Sequence, residues 1–435
     1  MQHGRVTMLR VCRYSAAVSA GLLNLAAGLA GAAPPQPHLR QLTLEQALQQ
    51  ALARSPVLRA ERARVDQSRG RLLTARTYPF NPEISMDAAH RRSQFDTMTD
   101  RNISVSQEIE MGGKRRRRVK QAAAEQDATL ARVLRAERLL TARVRAAFTE
   151  TIRSRELVEI NRANADLAAS LANVAQKRFN AGAATQMEVN LALVQVGRAQ
   201  RDLRLSEGGY QVARTMLAEV VGLDPATLPV PAGKLDLQGG PMPPYPQLVA
   251  SALSHRADLK AFRDTVRASR ARVEVARRQI VPNLVTGVFY GREEGLDNLV
   301  GGFVSARIPI LNRNRGAIVE ANGLLLQSQA EEKTLELQVR QEVASALALY
   351  KAAVEATTNL KLQVMGSLED NLALLQRSFE AGKTSWTEVL VFRREFVDVR
   401  REFVETITEA RLAGIEMDLA AGATPAAPTR EETRP

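Results

Sequence analysis

Few residues in this chain could carry bond-making chemistry. Its 435 residues include four histidines and one cysteine, Cys12, so neither a disulfide framework nor a CxxC metal site can be built. His38, His90 and His255 are isolated in the sequence, and a lone histidine supplies one donor where a metal site needs three or four. No GxSxG, HExxH or P-loop pattern occurs, and carboxylates on helix surfaces are ordinarily solvated. The acids that do recur in a pattern are Glu188 and Glu388. Each lies three residues after a hydroxyl (Thr185, Ser385), just before a valine (Val189, Val389), and six residues after the glycine of an Ala-Gly pair, Ala181-Gly182 or Ala381-Gly382. Two roles are open to them. They can close a capping box, hydroxyl to the N3 amide and carboxylate back to the N-cap amide. If several chains surround one axis, they can also form a ring of carboxylates that favours cations.

Lys114 and Arg115 to Arg118 form a second charged cluster, KRRRR. In a cytosolic chain it reads as a nucleic-acid or nuclear-targeting patch. The N-terminus argues for export instead. Arg5, Arg10 and Arg13 precede an uncharged apolar stretch at 16–31, and Ala30-Gly31-Ala32 is an A-x-A cleavage signal, so a signal peptide at 1–32 is expected to be cut between Ala32 and Ala33. Cleavage removes three arginines from a net charge of +13 and takes Cys12 with it, which leaves no cysteine for a lipid anchor. In an exported chain the basic cluster reads as a contact to anionic lipid head groups or as a solvated helix start.

The elements that would position these residues are set by proline. None occurs between Pro82 and Pro225 or between Pro309 and Pro425. Proline costs about 3 kcal/mol inside a helix, so these two intervals are where long helices fit. Residues 222–246 hold seven prolines and four glycines and read as a linker. The apolar fraction is 45% with only 4% aromatics, a composition for Ala, Leu and Val packing between helices rather than for an aromatic-lined pocket.

The same signature appears twice, 200 positions apart. Phe179, Ala181, Gly182, Glu188, Val189 and Arg201 recur as Phe379, Ala381, Gly382, Glu388, Val389 and Arg401. The chain is thus expected to comprise a first repeat at 33–221, the linker at 222–246, a second repeat at 247–421 and a disordered tail at 422–435. Each repeat reads as an amphipathic helix (56–77, 257–279), two short segments, a long helical run, the Ala-Gly turn and a second helix. Leu167, Leu171 and Val174 in the first run, and Leu368, Leu372, Leu375 and Phe379 in the second, follow the 4,3 spacing of a coiled-coil-like seam. A helix from 114 to 181 would be about 100 Å long, which requires an elongated bundle, a tube or a fibre.

The short segments read as strands. Ile103 and Val105 alternate with Ser104 and Ser106 in 102–109; 283–291 is rich in apolar residues; and in 300–310, Val304, Ala306, Ile308 and Ile310 share one face opposite Ser305 and Arg307. Such two-faced strands suit a membrane β-barrel, and ordinary half-buried strands look the same. Four strands cannot close a barrel with a lumen, since about eight are needed, so a spanning barrel would be shared among chains. The fold class expected is mainly α with a small β part.

Together these features resemble the TolC-like outer-membrane efflux proteins. The residues that carry the resemblance are the duplicated unit, the phrase from Val105 to Lys114 (VSQEIEMGGK), the two Phe-x-Ala-Gly tips and the Glu-Val six residues beyond each glycine. The resemblance implies a homotrimer in which four transmembrane strands per chain form one 12-stranded β-barrel, continued by long helical hairpins as a periplasmic α-barrel. It implies a passive outer-membrane channel in a tripartite efflux system. Glu188 and Glu388 would then lie at a pore constriction, and Ala181, Gly182, Ala381 and Gly382 would form tips that dock a periplasmic adaptor protein, itself joined to an inner-membrane efflux pump. Many relatives carry Asp where this chain has Glu. Gly112-Gly113-Lys114-Arg115 and the tip from Glu380 to Lys383 look most like the cobalt, zinc and cadmium efflux branch, so heavy-metal cations are the cargo implied. No cofactor, enzymatic activity or nucleic-acid partner is implied. Two alternatives stay open: a periplasmic adaptor, which predicts a single hairpin flanked by lipoyl-like and barrel domains, and an outer-membrane duct for drugs or secreted protein.

Overall fold

Helix breakers frame each half of the chain. The computed structural model describes residues 41–423 except 93, 95–96, 238–242, 294–296, 362–370, 372–373, 376, 380 and 382. Ala32, Ala33, Gly382, Leu368, Leu372, part of the linker and the tail beyond Ala423 lie outside the described residues.

Strand β1 (Gln41–Leu42) leads into α1 (Leu44–Arg54), where Thr43 and Gln46 form a reciprocal capping box. Ser55 ends α1 and caps the next helix by accepting from Leu58 N–H. Pro56 opens that helix, α2 (Pro56–Arg76), at the one turn where a missing N–H is harmless. Strands β2 (Glu83–Arg92) and β3 (Thr97–Ile109) follow, then α3 (Lys114–Asn180) and α4 (Gln186–Val221). Gly222, at φ +78°, closes α4, and β4 (Val230–Pro231) pairs in parallel with β1. The second half repeats the order: α5 (Tyr245–His255), α6 (Ala257–Arg278), β5 (Leu284–Glu293), β6 (Asp297–Ala306), α7 (Arg315–Leu360), the helical residues Asn371, Leu374, Leu375, Arg377, Ser378 and Phe379, and α8 (Trp386–Ala420).

Helix α3 has 67 residues, about 100 Å of rise, as the proline-free interval requires. Its buried face changes along the way because its partners change: α2 and α6 flank it near its start, α1 near its middle, and α4 and α8 toward its end. Ala122, Ala124, Ala128 and Ala131 on α3, and Ala268, Ala271 and Ala276 on α6, are buried; small side chains let long helices approach closely. Larger apolar residues join them in two related clusters: Val144, Phe148, Ile152 and Leu217 with Ala47 and Ala51 in the first half, and Leu248, Val249, Val339, Val343 and Leu347 with Ala252 in the second.

The corners of the two halves differ. Where Ser55 separates α1 from α2, Arg256 separates α5 from α6 and is paired with Asp258 (2.7 Å) and Glu342 (2.5 Å), while also donating to Ala420 O. Burial alone would lower the Arg256 pKa, but the bonds to Asp258 and Glu342 more than offset it and raise it overall. Burial likewise works to raise Asp258, and the Arg256 hydrogen bond and charge, with the Leu259 N–H and Arg135, hold it below its ordinary value.

The four-stranded antiparallel sheet has the order β2-β3-β5-β6, so each half gives one hairpin and β3 joins β5 across the halves. The strands differ from the sequence reading in three ways. β2 went unread although Ile84, Met86 and Ala88 alternate with Glu83, Ser85 and Asp87, because Ala89 to Arg92 break the pattern; its full length is a strand through its pairing with β3, from Glu83↔Ser106 to Arg92↔Thr97. β3 starts at Thr97 and not at 102, because Thr97 to Arg101 do not alternate in polarity and join the strand through their pairing with β2. β6 stops at Ala306 rather than 310, since Pro309 has no N–H to give a ladder and Ile310 N–H turns back to Ile308 O.

Candidate functional site

The first hairpin tip is built from backbone bonds. Gly182 takes φ +71°, its N–H bonds Phe179 O (2.9 Å), and Ala183 N–H bonds Arg178 O (2.8 Å), the two bonds of a Schellman turn. At the second tip Lys383 N–H makes the related bond to Ser378 O (2.8 Å). Lys177 and Arg178 in the last turn of α3 sit where the helix dipole favours cations. Ala181 and Ala381 are exposed.

The two repeated carboxylates are used differently. Ser385 and Glu388 form a complete capping box, with Ser385 N–H donating to Glu388 Oε2 (2.9 Å) and Glu388 N–H donating to Ser385 Oγ (3.3 Å). At Thr185 only the hydroxyl half forms, from Glu188 N–H at 3.3 Å. The Glu188 carboxylate is therefore free of the cap and half-buried, whereas that of Glu388 is exposed.

The tips meet in one apolar cluster. Leu171, Ala175, Val189 and Ala192 from the first hairpin enclose Phe379, Trp386 and Val389 from the second. The Phe379 and Trp386 rings are 5.5 Å apart, and the Arg178 guanidinium lies 5.0 Å over the Phe379 ring. Deeper in this seam Arg393 is buried and donates to Asn164 Oδ1 (3.2 Å) and Gln195 Oε1 (2.8 Å), with its Nε unpartnered. Burial lowers its pKa. Sequence reasoning missed Arg393 and Trp386. The signal was available: Trp386, Val389, Arg393 and Phe396 keep the 3,4,3 seam spacing, with a cation in one core position.

At the other end of α3 the sheet presents two unlike faces. Register places Met86, Ile103, Tyr290 and Val300 in one row, with Ile84, Val105 and Val288 in the next, and all are exposed, Met86 and Val300 by about three quarters (76% and 75%). The opposite face carries Ser85, bonded to Ser104 (2.7 Å), with Asp87, Asn102 and Ser106. There Gly287 and Gly301 give Phe303 and Phe289 room to lie across the neighbouring strand; a Cβ would sit 2.6 and 2.5 Å from those rings. Below the polar face opens a cavity of about 550 Å³, lined among others by Glu83, Glu108, Lys114 and Arg307. Lys114 belongs to this cavity rather than to the surface: it is buried and donates to Asn283 (2.7 Å), which donates to Glu108 (2.6 Å). Elsewhere in the KRRRR cluster Arg118 forms a two-point pair with Glu110, and Arg115 donates to Arg76 O at the end of α2 (2.8 Å). Among the described residues no helix is long and apolar enough to cross a membrane, and no group of three or more His, Cys, Asp or Glu could hold a metal.

The model of the outer membrane efflux protein family matches residues 47–223 and again 248–423. The chain belongs to that family. Among curated members, the cobalt-zinc-cadmium resistance protein CzcC of Cupriavidus metallidurans is 25% identical over 385 residues, spanning 88% of this chain and 91% of that protein. The pyoverdine export outer membrane protein OpmQ of Pseudomonas putida is 26% identical over 388 residues, 81% of this chain and 79% of that one. In fold the chain is similar to CusC (TM-score 0.74, 16% identity, covering 88% of this chain and 92% of that one) and to the outer-membrane channel OprN (TM-score 0.72, 18% identity, 88% and 90%). The protein is an outer-membrane efflux channel with a large helical part on the periplasmic side. A mainly helical fold with a small sheet, and a channel rather than an enzyme, follow from the same matches.

Proposed function

We propose that three copies of this chain assemble into one duct, each giving its four strands to a shared 12-stranded barrel and its two hairpins to a periplasmic helical tube. The observation that carries this reading is the uncovered sheet: apolar on one face, and on the other polar in β2 and β3 with Phe289 and Phe303 in β5 and β6, and with both outer edges, β2 and β6, unpaired among the described residues. Four strands cannot enclose a lumen, and an open two-sided edge invites a further strand. Copies joined β2 to β6 would place the apolar face against lipid and the polar face around water. Repeats at 33–221 and 247–421 then supply quasi-equivalent hairpins, and export follows cleavage between Ala32 and Ala33. Protein purified from outer membranes in mild detergent should have three times the mass of the processed chain and begin at Ala33; a monodisperse monomer that conducts ions would sink the reading.

In that assembly Glu188 and Glu388 gather near the axis at the closed end and favour cations through their summed potential. Glu188→Gln and Glu388→Gln should lower cation selectivity in a planar bilayer while the trimer persists, since glutamine still serves a capping box. Ala181, Gly182, Ala381 and Gly382 form the docking surface for a periplasmic adaptor linked to an inner-membrane pump. Among the described residues, and its chain neighbours apart, nothing lies within 4 Å of where a Gly182 Cβ would be, so Gly182→Val should cost the isolated protein only local strain, about 1–3 kcal/mol, yet block a partner that approaches the tip. Efflux should be lost with the trimer intact; wild-type efflux would leave the tips as mere turns. Heavy-metal cations are the proposed cargo, supported by similarity to a protein named for cobalt, zinc and cadmium resistance. Deletion should sensitise cells to those three metals, and a strain that stays resistant would point to another cargo.

A further inference from the structure

The junction between sheet and helices carries a charge pattern that a passive duct leaves unused. Residues 69–82, 111–124, 275–283 and 307–319 contain no Asp or Glu. These passages are the end of α2, the start of α3, the end of α6 and the loop into α7, and the structure draws them to one level. Arg115 Nε donates to Arg76 O (2.8 Å), Lys114 to Asn283 Oδ1 (2.7 Å), and Asn314 Nδ2 to Ala276 O (2.8 Å). Arg76, Arg115, Arg116, Arg278, Arg313 and Arg315 are exposed here, and among the described residues their side chains make no ion pair; the pairs of this region belong to Arg117, Arg118, Arg272 and Arg277.

Beside these cations the apolar face of the sheet continues past the end of β6. Arg307 and Pro309 line the cavity under the polar face, while the alternate residues Ile308 and Ile310 are 72% and 68% exposed, and Leu311 is 100% exposed. An uncovered aliphatic triplet followed by two arginines has the chemistry of a water–lipid boundary, where apolar side chains enter the acyl region and cations stay at the head groups.

We propose that this junction is a lipid-binding belt: Ile308, Ile310 and Leu311 insert into the periplasmic leaflet, and Arg115, Arg116, Arg313 and Arg315 bind the phosphates of anionic phospholipids. The proposal rests on reading the sheet as a membrane wall. Guanidinium groups match the paired oxygens of a phosphodiester. A second copy of the chain could not neutralise the belt, because it would bring the same acid-free passages and set cation against cation. An anionic lipid neutralises it without conflict.

Leu311→Trp gives a direct reading, since the chain's single native tryptophan, Trp386, sits at the hairpin tip and serves as the blank. The variant is reconstituted in nanodiscs whose brominated acyl chains are carried either by phosphatidylglycerol or by phosphatidylcholine. The added emission should be quenched, and more strongly by brominated phosphatidylglycerol at equal mole fraction. That preference should fade between roughly 0.1 and 1 M NaCl, over which the screening length drops from about 10 to 3 Å. Adding Arg115→Gln, Arg116→Gln, Arg313→Gln and Arg315→Gln should abolish the preference and keep the quenching; if the fourfold change fails to assemble, each pair alone should lose part of it. Blue-shifted emission without quenching would mean that protein covers Leu311, and quenching with no head-group preference would remove the arginine role; either overturns the belt. The membrane reading is checked separately with Gln94→Cys, at the exposed bend between β2 and β3, in a Cys12→Ser background. A thiol there that no impermeant maleimide reaches from outside the cell defeats the spanning sheet itself, whereas a labelled thiol with an unquenched tryptophan defeats the belt alone.

Discussion

At the second hairpin tip Phe379 is buried to 1% exposure and Trp386 packs against it, whereas at the first tip the matching residues, Phe179 and Gln186, are half-buried and exposed. The sequences around them are near copies; the surroundings are not. The second tip plugs a socket made by Leu171, Ala175, Val189 and Ala192 of the first hairpin. Among the described residues Phe179 of the first tip packs only at the margin of the same cluster, and Met187, Leu191 and Val194 stay exposed along one side of α4. A duplicated unit that lies beside its twin can satisfy each complementary face only once. In the proposed trimer the unsatisfied face would be the one offered to a neighbouring chain.

The sharpest way to break this comparison is to truncate both phenylalanines. Phe379→Ala should lower stability by about 3–5 kcal/mol, the range for a fully buried aromatic, and Phe179→Ala by less than half of that in the isolated protein. Equal losses by thermal melting would show that the first tip also has a host, which an assembled neighbour could supply.

The corners differ in the same spirit and predict different pH responses. Asp258 is held below its ordinary value, so its contribution is present above the unfolded carboxylate value, about 3.9, and is lost as pH falls through the lower folded one. Arg256 is raised, so its share is complete at all pH values below the ordinary guanidinium range. The second corner should therefore weaken only in acid below about pH 4, while the Ser55 corner has nothing to titrate. Asp258→Asn should cost about 2 kcal/mol near neutrality, as hydrogen bonds to charged groups do, and flatten the acid limb of the melting curve; Ser55→Ala should cost about 1 kcal/mol and leave that limb unchanged. An acid limb that survives Asp258→Asn would place the sensitive carboxylate elsewhere.

The smallest effect sharpens the comparison at the caps. Glu388→Ala removes a reciprocal bond that Glu188→Ala does not, so the first should cost about 0.5–1 kcal/mol and the second less, read as a difference in melting temperature between two otherwise matched variants. A larger loss at Glu188 would mean that its carboxylate has taken a partner outside the chain.

What the sequence determined by itself is whatever short-range chemistry decides. Proline spacing set the reach of α3, because one proline would break it. The glycine at 182 and the hydroxyls at 185 and 385 set where hairpins turn, because left-handed backbone and capping involve neighbours within a few residues. The recurrence of these signals at one offset disclosed the duplication, and with it the family. Only the tertiary structure decided what depends on distant partners. β2 is a strand through its ladder with β3, despite Asp87, His90 and Arg91. Lys114, first in a run of cations, is buried because Asn283 and Glu108 meet it there. Arg393 occupies a seam position because Asn164 and Gln195 accept its protons from the other hairpin. Glu188 and Glu388 share a motif and part company in use, since burial and hydrogen-bond supply are properties of the packed neighbourhood and not of the residues that precede and follow in the chain.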